Sequence, residues 1–120
     1  MFSYSSIVTV DADMSSLTVG TGMFNGCSSL NKFTGNLSSL ETYAEAMFFN
    51  CTQLRSFESD LSSLTDAEAM FFNCSHLTSF DVDLPSLVRG DGMFGDCREL
   101  ATFSSNLDSL ESGYYMFRNC

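Results

Sequence analysis

Apolar residues recur along the chain in one fixed order that is repeated many times. In each unit a Met-Phe pair comes first, Cys follows three residues after the Phe, and Leu-x-x-Phe and Leu-x-x-Leu complete the unit. The units follow one another at intervals of 24, 23, 23 and 23 residues, as the cysteines mark: Cys27, Cys51, Cys74, Cys97 and Cys120. Such a period is typical of solenoids, because one unit has too few apolar residues to fold alone and stacked copies bury them in shared columns.

Each Leu-x-x-Phe segment has the character of a short β-strand, and neighbouring copies can pair in parallel about 4.8 Å apart. Residues 65–72 are rich in helix formers, with Thr65 or Asp66 as a candidate N-cap, which predicts a single helical turn. Gly90 and Gly92 weaken that helix in the next unit. The sequence therefore predicts an α/β repeat solenoid, a leucine-rich-repeat coil with short parallel strands and little helix.

Every residue falls within a repeat, so residues 1–120 form a single predicted domain of five units of about 23 residues. The first unit is degenerate, and we align Tyr4 with the Cys position and Ile7 and Val10 with the Leu and Phe positions. No capping segment is evident, and uncapped solenoid ends expose strand edges that favour association. The predicted assembly interface comprises Ile7, Val8, Val10, Leu100, Phe103 and Cys120.

The cysteines contain no close Cys-x-x-Cys pair of the kind that binds zinc. Equivalent side chains in stacked units point in parallel, which suits disulfide geometry poorly. Buried free thiols are the favoured interpretation, with a disulfide through Cys120 as the alternative. The columns of Phe are predicted to be core, whereas Phe49 and Phe72 occupy a position held elsewhere by Asn, Gly or Arg and are predicted to be partly exposed.

The formal net charge is −10, from 15 acidic and 5 basic residues, which disfavours nucleic acid and anionic lipid as partners. No segment has the 18 to 20 apolar residues, roughly, that span a bilayer, so membrane insertion is not expected. One acid or amide recurs before each Leu pair, where it can bond the turn backbone, bind a cation between Asp60 and Asp83, or face solvent. These residues are Asp13, Asn36, Asp60, Asp83 and Asn106.

Three Asn-x-Ser/Thr sequons are candidate glycosylation sites, with Asn50 and Asn73 expected to be modified before Asn36. Catalysis has little support, because His76 is the only histidine and the Ser-Ser pairs have no base beside them. We therefore predict that the protein is not an enzyme and uses no cofactor or metal.

The pattern Met-Phe-x-x-Cys-x-x-Leu-x-x-Phe, as in the segment MFFNCSHLTSF, resembles the BspA-like (Treponema pallidum-type) leucine-rich repeat family of surface proteins. The resemblance implies a curved solenoid on a secreted or cell-surface protein that serves adhesion or matrix contact, and it carries over no active-site residues. Together with the uncapped ends, it predicts an extracellular structural protein that stacks on copies of itself into filaments. The alternative is a cell-surface adhesion module, cut from a longer array, that binds matrix or host surface proteins.

Overall fold

One short strand lies in each turn of the chain, and successive strands pair in parallel, as expected, except at one junction. The structure, a computed structural model, describes residues 1–120. Val10 pairs with Phe33 and Phe33 with Phe57, so equivalent repeat positions lie one above another. The strands are β1 (Thr9–Asp13), β2 (Lys32–Asn36), β3 (Ser56–Asp60), β4 (Ser79–Phe80) and β5 (Thr102–Phe103).

The expected helical turn at residues 65–72 was wrong, and so was the α/β label, because the chain contains no helix. Every second N–H in this segment donates to a carbonyl in the next turn of the solenoid, instead of to the carbonyl four residues earlier as in an α-helix. The N–H groups of Ala67, Ala69 and Phe71 each lie 2.9 Å from their acceptor carbonyls in the next turn. Ala69 also has a left-handed φ of 52°, which no α-helix accommodates.

We call the segment around each Met-Phe pair a Met–Phe segment, and each is a run of tight turns with left-handed residues. In a complete segment two positions four residues apart have positive φ, and Gly, Asn or Asp often fills them at low steric cost. The pairs are Gly22/Gly26, Ala46/Asn50, Ala69/Asn73, Gly92/Asp96 and Tyr115/Asn119, with Tyr4 in the first segment.

Two columns of aromatic rings form the core. The Phe residues of the Met–Phe segments stack face to face with centroids 5.3 to 5.6 Å apart: Phe2, Phe24, Phe48, Phe71, Phe94 and Phe117. Each strand Phe lies edge-on between two rings of that first column: Phe33, Phe57, Phe80 and Phe103. The predicted core columns are thus confirmed except at their C-terminal end, where Phe117 is exposed.

In the first unit the alignment of Val10 with the Phe position is confirmed, but that of Tyr4 with the Cys position was wrong by one residue. The N–H of Tyr4 donates to Asn25 as the N–H of Gly26 donates to Phe49, so Tyr4 occupies the left-handed position before the Cys position. Ser5 therefore fills the Cys position, with its Oγ 3.4 Å from Cys27 Sγ.

Phe2 adds a sixth ring to the column of the Met–Phe segments, one more than the number of strands. As a result, both ends of the solenoid are closed by a Met–Phe segment, and Val10 is only 6% exposed.

The sheet is interrupted in the middle of the stack. Strands β1, β2 and β3 form one sheet and β4 and β5 another, with no pairing between β3 and β4. Arg55 and Ala101 donate their N–H groups to carbonyls of the preceding turn at 3.0 Å, whereas the equivalent N–H of Thr78 has no acceptor. The Phe57 and Phe80 rings, which face each other across this break, have the widest spacing of their column, at 6.0 Å.

Candidate functional site

The C-terminal face of the solenoid exposes a ring and a row of unpaired N–H groups. Phe117 is 41% exposed, and Cys120 beside it is also exposed, whereas Leu100 and Phe103 are half-buried beneath the last Met–Phe segment. Within the stack, the N–H groups of Phe94 and Asp96 donate to the next turn at 2.9 and 2.8 Å. The equivalent N–H groups on this face make no hydrogen bond and point out of it: Tyr115, Phe117 and Asn119.

The N-terminal face has the opposite hydrogen-bonding character. Phe2 is 38% exposed and Val8 51%, with Ile7 half-buried. Inside the stack, the carbonyls of Met23 and Asn25 accept bonds from the preceding segment at 2.8 and 2.7 Å, but the equivalent carbonyls of Met1 and Ser3 accept none. Of the predicted interface residues, Val10 lies in the core, and a substitution there would disturb the fold before it disturbed this face.

The cysteine column is buried except at its end, as predicted. Cys27, Cys51, Cys74 and Cys97 are buried free thiols, and Cys120 is free and exposed. Each Sγ donates to the carbonyl of the Phe in the preceding Met–Phe segment, at 3.0 to 3.3 Å. Burial raises the pKa of Cys51 and of Cys97 to about 12 and raises that of Cys74 as well. The column therefore consists of uncharged thiols, each of which donates a hydrogen bond from its own turn to the preceding turn.

These thiols should make the fold sensitive to alkali. A thiol whose pKa is raised by folding stabilises the native state below its unfolded pKa of about 8.5 and loses that contribution as pH rises towards the folded value. Between pH 9 and 11 each such thiol should lower the free energy of unfolding by about 1.4 kcal/mol per pH unit. Urea unfolding at several pH values would measure the slope, and Cys51→Ala should reduce it. An unchanged slope in the variant would contradict the assignment.

The polar residue before each Leu pair bonds the turn backbone, which confirms the structural interpretation. Oδ1 of Asp13, Asn36, Asp60 and Asn106 accepts from the N–H two residues later at 2.9 Å in every case. Hydrogen bonds from the N–H and then the hydroxyl of Ser15 lower the pKa of Asp13, and those from the hydroxyl and then the N–H of Ser62 lower the pKa of Asp60. Asp83 is the exception, because Pro85 has no N–H to donate, and its Oδ1 accepts from the N–H of Asn106 in the next turn at 3.1 Å.

No group of three or more His, Cys, Asp or Glu side chains is arranged to hold a metal ion. His76 is half-buried, and its Nδ1 lies 2.6 Å from the carbonyl oxygen of Thr52 in the preceding turn. Its Nε2 is 3.9 Å from Glu99. The histidine thus bridges successive turns at the edge of the interrupted sheet. None of the segments is a helix of the length and hydrophobicity needed to cross a membrane.

A comparison with protein families assigns the repeat. The model of the BspA type leucine-rich repeat region matches residues 1–120 in six copies. The chain belongs to this family. The number of copies is the same as the number of Met–Phe segments in the structure, whereas the cysteines mark only five units. No curated protein and no solved structure matches the chain.

The BspA-type solenoid exposes its three sequons in an order opposite to the expected one. Asn50 and Asn73 are equally half-buried, and the Nδ2 of Asn73, the atom a glycan would modify, donates to Oδ1 of Asn50 at 2.9 Å. Asn36 is exposed. Accessibility therefore favours Asn36, and glycan occupancy itself stays a prediction.

An aromatic patch lies on the outer surface of the Met–Phe segments. Phe49 and Phe72 are half-buried, as predicted, and stack at 5.1 Å. The Phe72 ring leans over Gly95, beside a depression of about 530 Å³ that is also lined by Tyr115 and Arg118. The guanidinium of Arg118 sits 5.2 Å from the Tyr115 ring. Sequence reasoning missed this depression, although Tyr115 stands where earlier units of the BspA-type repeat have Gly or Ala.

Proposed function

We propose that this BspA-type repeat protein is an extracellular structural protein whose copies stack end to end. The observation that carries the proposal is the complementarity of its two ends. The C-terminal face has the free N–H groups of Phe117 and Asn119, and the N-terminal face has the free carbonyls of Met1 and Ser3. Two identical ends could not satisfy each other in these segments, so the contact between copies is head to tail.

The aromatic column gives the contact its register. Phe2 of a second copy would stack on Phe117, as Phe94 does inside the chain at 5.6 Å. Both rings are about two-fifths exposed, and covering them removes apolar surface from water at about 25 cal/mol per Å². The outermost element at each end is a Met–Phe segment, so this contact brings two such segments together with no strand between them. One strand position therefore stays empty between Phe103 of one copy and Val10 of the next. The contact is therefore smaller than an internal turn and should depend on protein concentration.

Sedimentation velocity with single-end variants tests the proposal. Phe117→Asp should abolish stacking at one face and Phe2→Asp at the other, so that either variant alone is monomeric at concentrations where the wild type forms longer species. An equimolar mixture of the two should form dimers and nothing longer, because only one pair of intact faces remains.

The matched control is Val88→Asp, which adds the same charge at an exposed position away from both ends. Far-ultraviolet circular dichroism would establish that all variants are folded. A wild type that stays monomeric at high concentration, or a mixture that behaves like its components, would overturn the proposal.

The strand face supports a second candidate, adhesion to a basic partner. Six exposed carboxylates project from or beside the strands, against two basic residues, Lys32 and Arg55: Asp11, Asp13, Glu58, Asp60, Asp81 and Asp83. No other part of the chain covers this face. A monomeric protein that bound a basic matrix protein, with an affinity that fell as salt concentration rose, would favour this candidate over stacking.

A further inference from the structure

At the break between β3 and β4, backbone groups are left without hydrogen-bond partners. The equivalent groups at the other junctions between strands are paired. Ser104 donates its N–H to the carbonyl of Phe80 at 2.9 Å. The equivalent bond one turn earlier would run from Asp81 to Phe57, and it is absent. The N–H of Thr78 is unpaired in the same way. On the opposite side of the solenoid the same two turns remain joined, since Phe71 donates to Met93 and Phe48 to Met70 at 2.9 and 2.8 Å.

Charge distinguishes this junction from the others. Two columns of outward-facing side chains run along the strand face. Only at this junction does each column have one acid opposite another, with Glu58 opposite Asp81 and Asp60 opposite Asp83. Directly opposed like charges destabilise a strand pair. At the remaining junctions each acid faces a neutral residue, because the same columns hold Thr34 and Ser104, or Asn36 and Asn106.

The side chains around the opening do little to offset this charge. The neighbouring strands contribute Lys32, on β2, and no charged residue from β5. Arg55 precedes β3, and it makes no salt bridge to any of the four carboxylates. His76 and Glu99 pair with each other at the start of β4. The four carboxylates line an open groove of about 570 Å³ with Ser59 and Val82 between them.

We propose that Glu58, Asp60, Asp81 and Asp83 hold the two sheets apart, so that neutralising them closes β3 onto β4 and makes one five-stranded sheet. High salt or a cationic partner on the strand face would each act in this direction. The opposite side of the solenoid stays joined, so closure is a hinge movement about the Met–Phe segments. The device is independent of end stacking, because all four carboxylates lie in the middle of the chain.

Hydrogen exchange of the double variant Asp81→Ser with Asp83→Asn tests the proposal, and both replacements are residues that β5 and its turn already carry at these positions. The N–H groups of Thr78 and residue 81 should exchange at least tenfold more slowly than in the wild type, relative to the unfolded chain. The control is Asp11→Ser with Asp13→Asn, which removes the same charge from the same two columns where the strands already pair; it should leave these two amides unchanged.

Two neighbouring residues provide the competing explanation. Val82 stands in a column of small residues, Ala12, Gly35, Ser59 and Ser105, and Pro85 has no N–H for the usual bond to the side chain of Asp83. If Val82→Ser or Pro85→Ser slows exchange at Thr78 and the charge variant does not, steric separation accounts for the break and the proposal is wrong. Equal slowing in the Asp11/Asp13 control would also overturn it, because the effect would then be one of net charge.

Discussion

Phe71→Ala should lower the free energy of unfolding by about 3–5 kcal/mol, the range typical of large-to-small changes in a packed core. Phe71 is fully buried and stacks between the rings of Phe48 and Phe94, at 5.4 and 5.5 Å. The edges of Phe57 and Phe80 close its other side at 4.7 and 5.4 Å. Removing the ring leaves a cavity bounded by four aromatic side chains that cannot collapse without shifting both columns. Urea denaturation followed by circular dichroism measures the effect.

The matched control is Phe2→Ala, the same change at the end of the same column. Phe2 is 38% exposed and stacks on one ring only, at 5.5 Å from Phe24. Its loss should therefore lower stability by about 1 kcal/mol. Comparable losses in the two variants would mean that the stacked column does not hold the centre of the fold.

Thiol labelling should divide the cysteines into one fast site and four slow ones. Only the thiolate reacts, and at pH 8 a thiol with a pKa of about 12 is ionised roughly a thousandfold less than one near 8.5 or 9. Cys51, Cys74 and Cys97 are also out of reach of a reagent until the chain opens. Partial burial raises the pKa of Cys120 too, but its thiol is exposed, so Cys120 should be modified first and the buried thiols much more slowly. Mass spectrometry of tryptic peptides over a time course gives each rate.

In guanidinium chloride all five cysteines should react at similar rates, which checks the reagent. Cys120→Ser should remove the fast phase and leave the slow one unchanged. Rapid modification of Cys74 in the native protein is the result that would disprove a closed column.

The repeat period predicted the columns of the core because a solenoid places equivalent positions one above another. Given the spacing of the cysteines, the burial of Leu54, Phe57 and Cys51 needed no knowledge of the backbone between them. The same reasoning predicted the turn bonds of Asp60 and its equivalents, because an Asp or Asn side chain just before a turn commonly accepts a hydrogen bond from a backbone N–H within that turn.

The turn conformation could not be predicted in this way. Ala67, Glu68 and Ala69 are helix formers, but hydrogen bonds to the next turn outweigh a propensity of a few tenths of a kcal/mol per residue. The useful signal was the recurrence of Gly or Asn in equivalent positions, which indicates a left-handed φ. Among candidate sites, the assembly interface at the ends stays a prediction, with Val10 placed in the core, and the interruption of the sheet was not predicted. It depends on which residues face each other across turns, and only Pro85 gave a local warning.

The one-way hydrogen bonding of the Met–Phe segments gives this side of the molecule an electrical polarity, whereas on the strand side the N–H groups of Arg55 and Ala101 point towards the N-terminal end. In each of these segments the N–H groups that cross between turns point towards the C-terminal end, as those of Tyr4, Phe48 and Asp96 do. Each peptide unit carries a dipole of about 3.5 D, and aligned units add along the stack as they do in a helix. Along the Met–Phe segments the positive pole lies at the C-terminal face, the reverse of an α-helix, whose positive pole is its N-terminus. The free N–H groups of Phe117 and Asn119 thus lie at the positive pole of these segments, and the free carbonyls of Met1 and Ser3 lie at the negative pole.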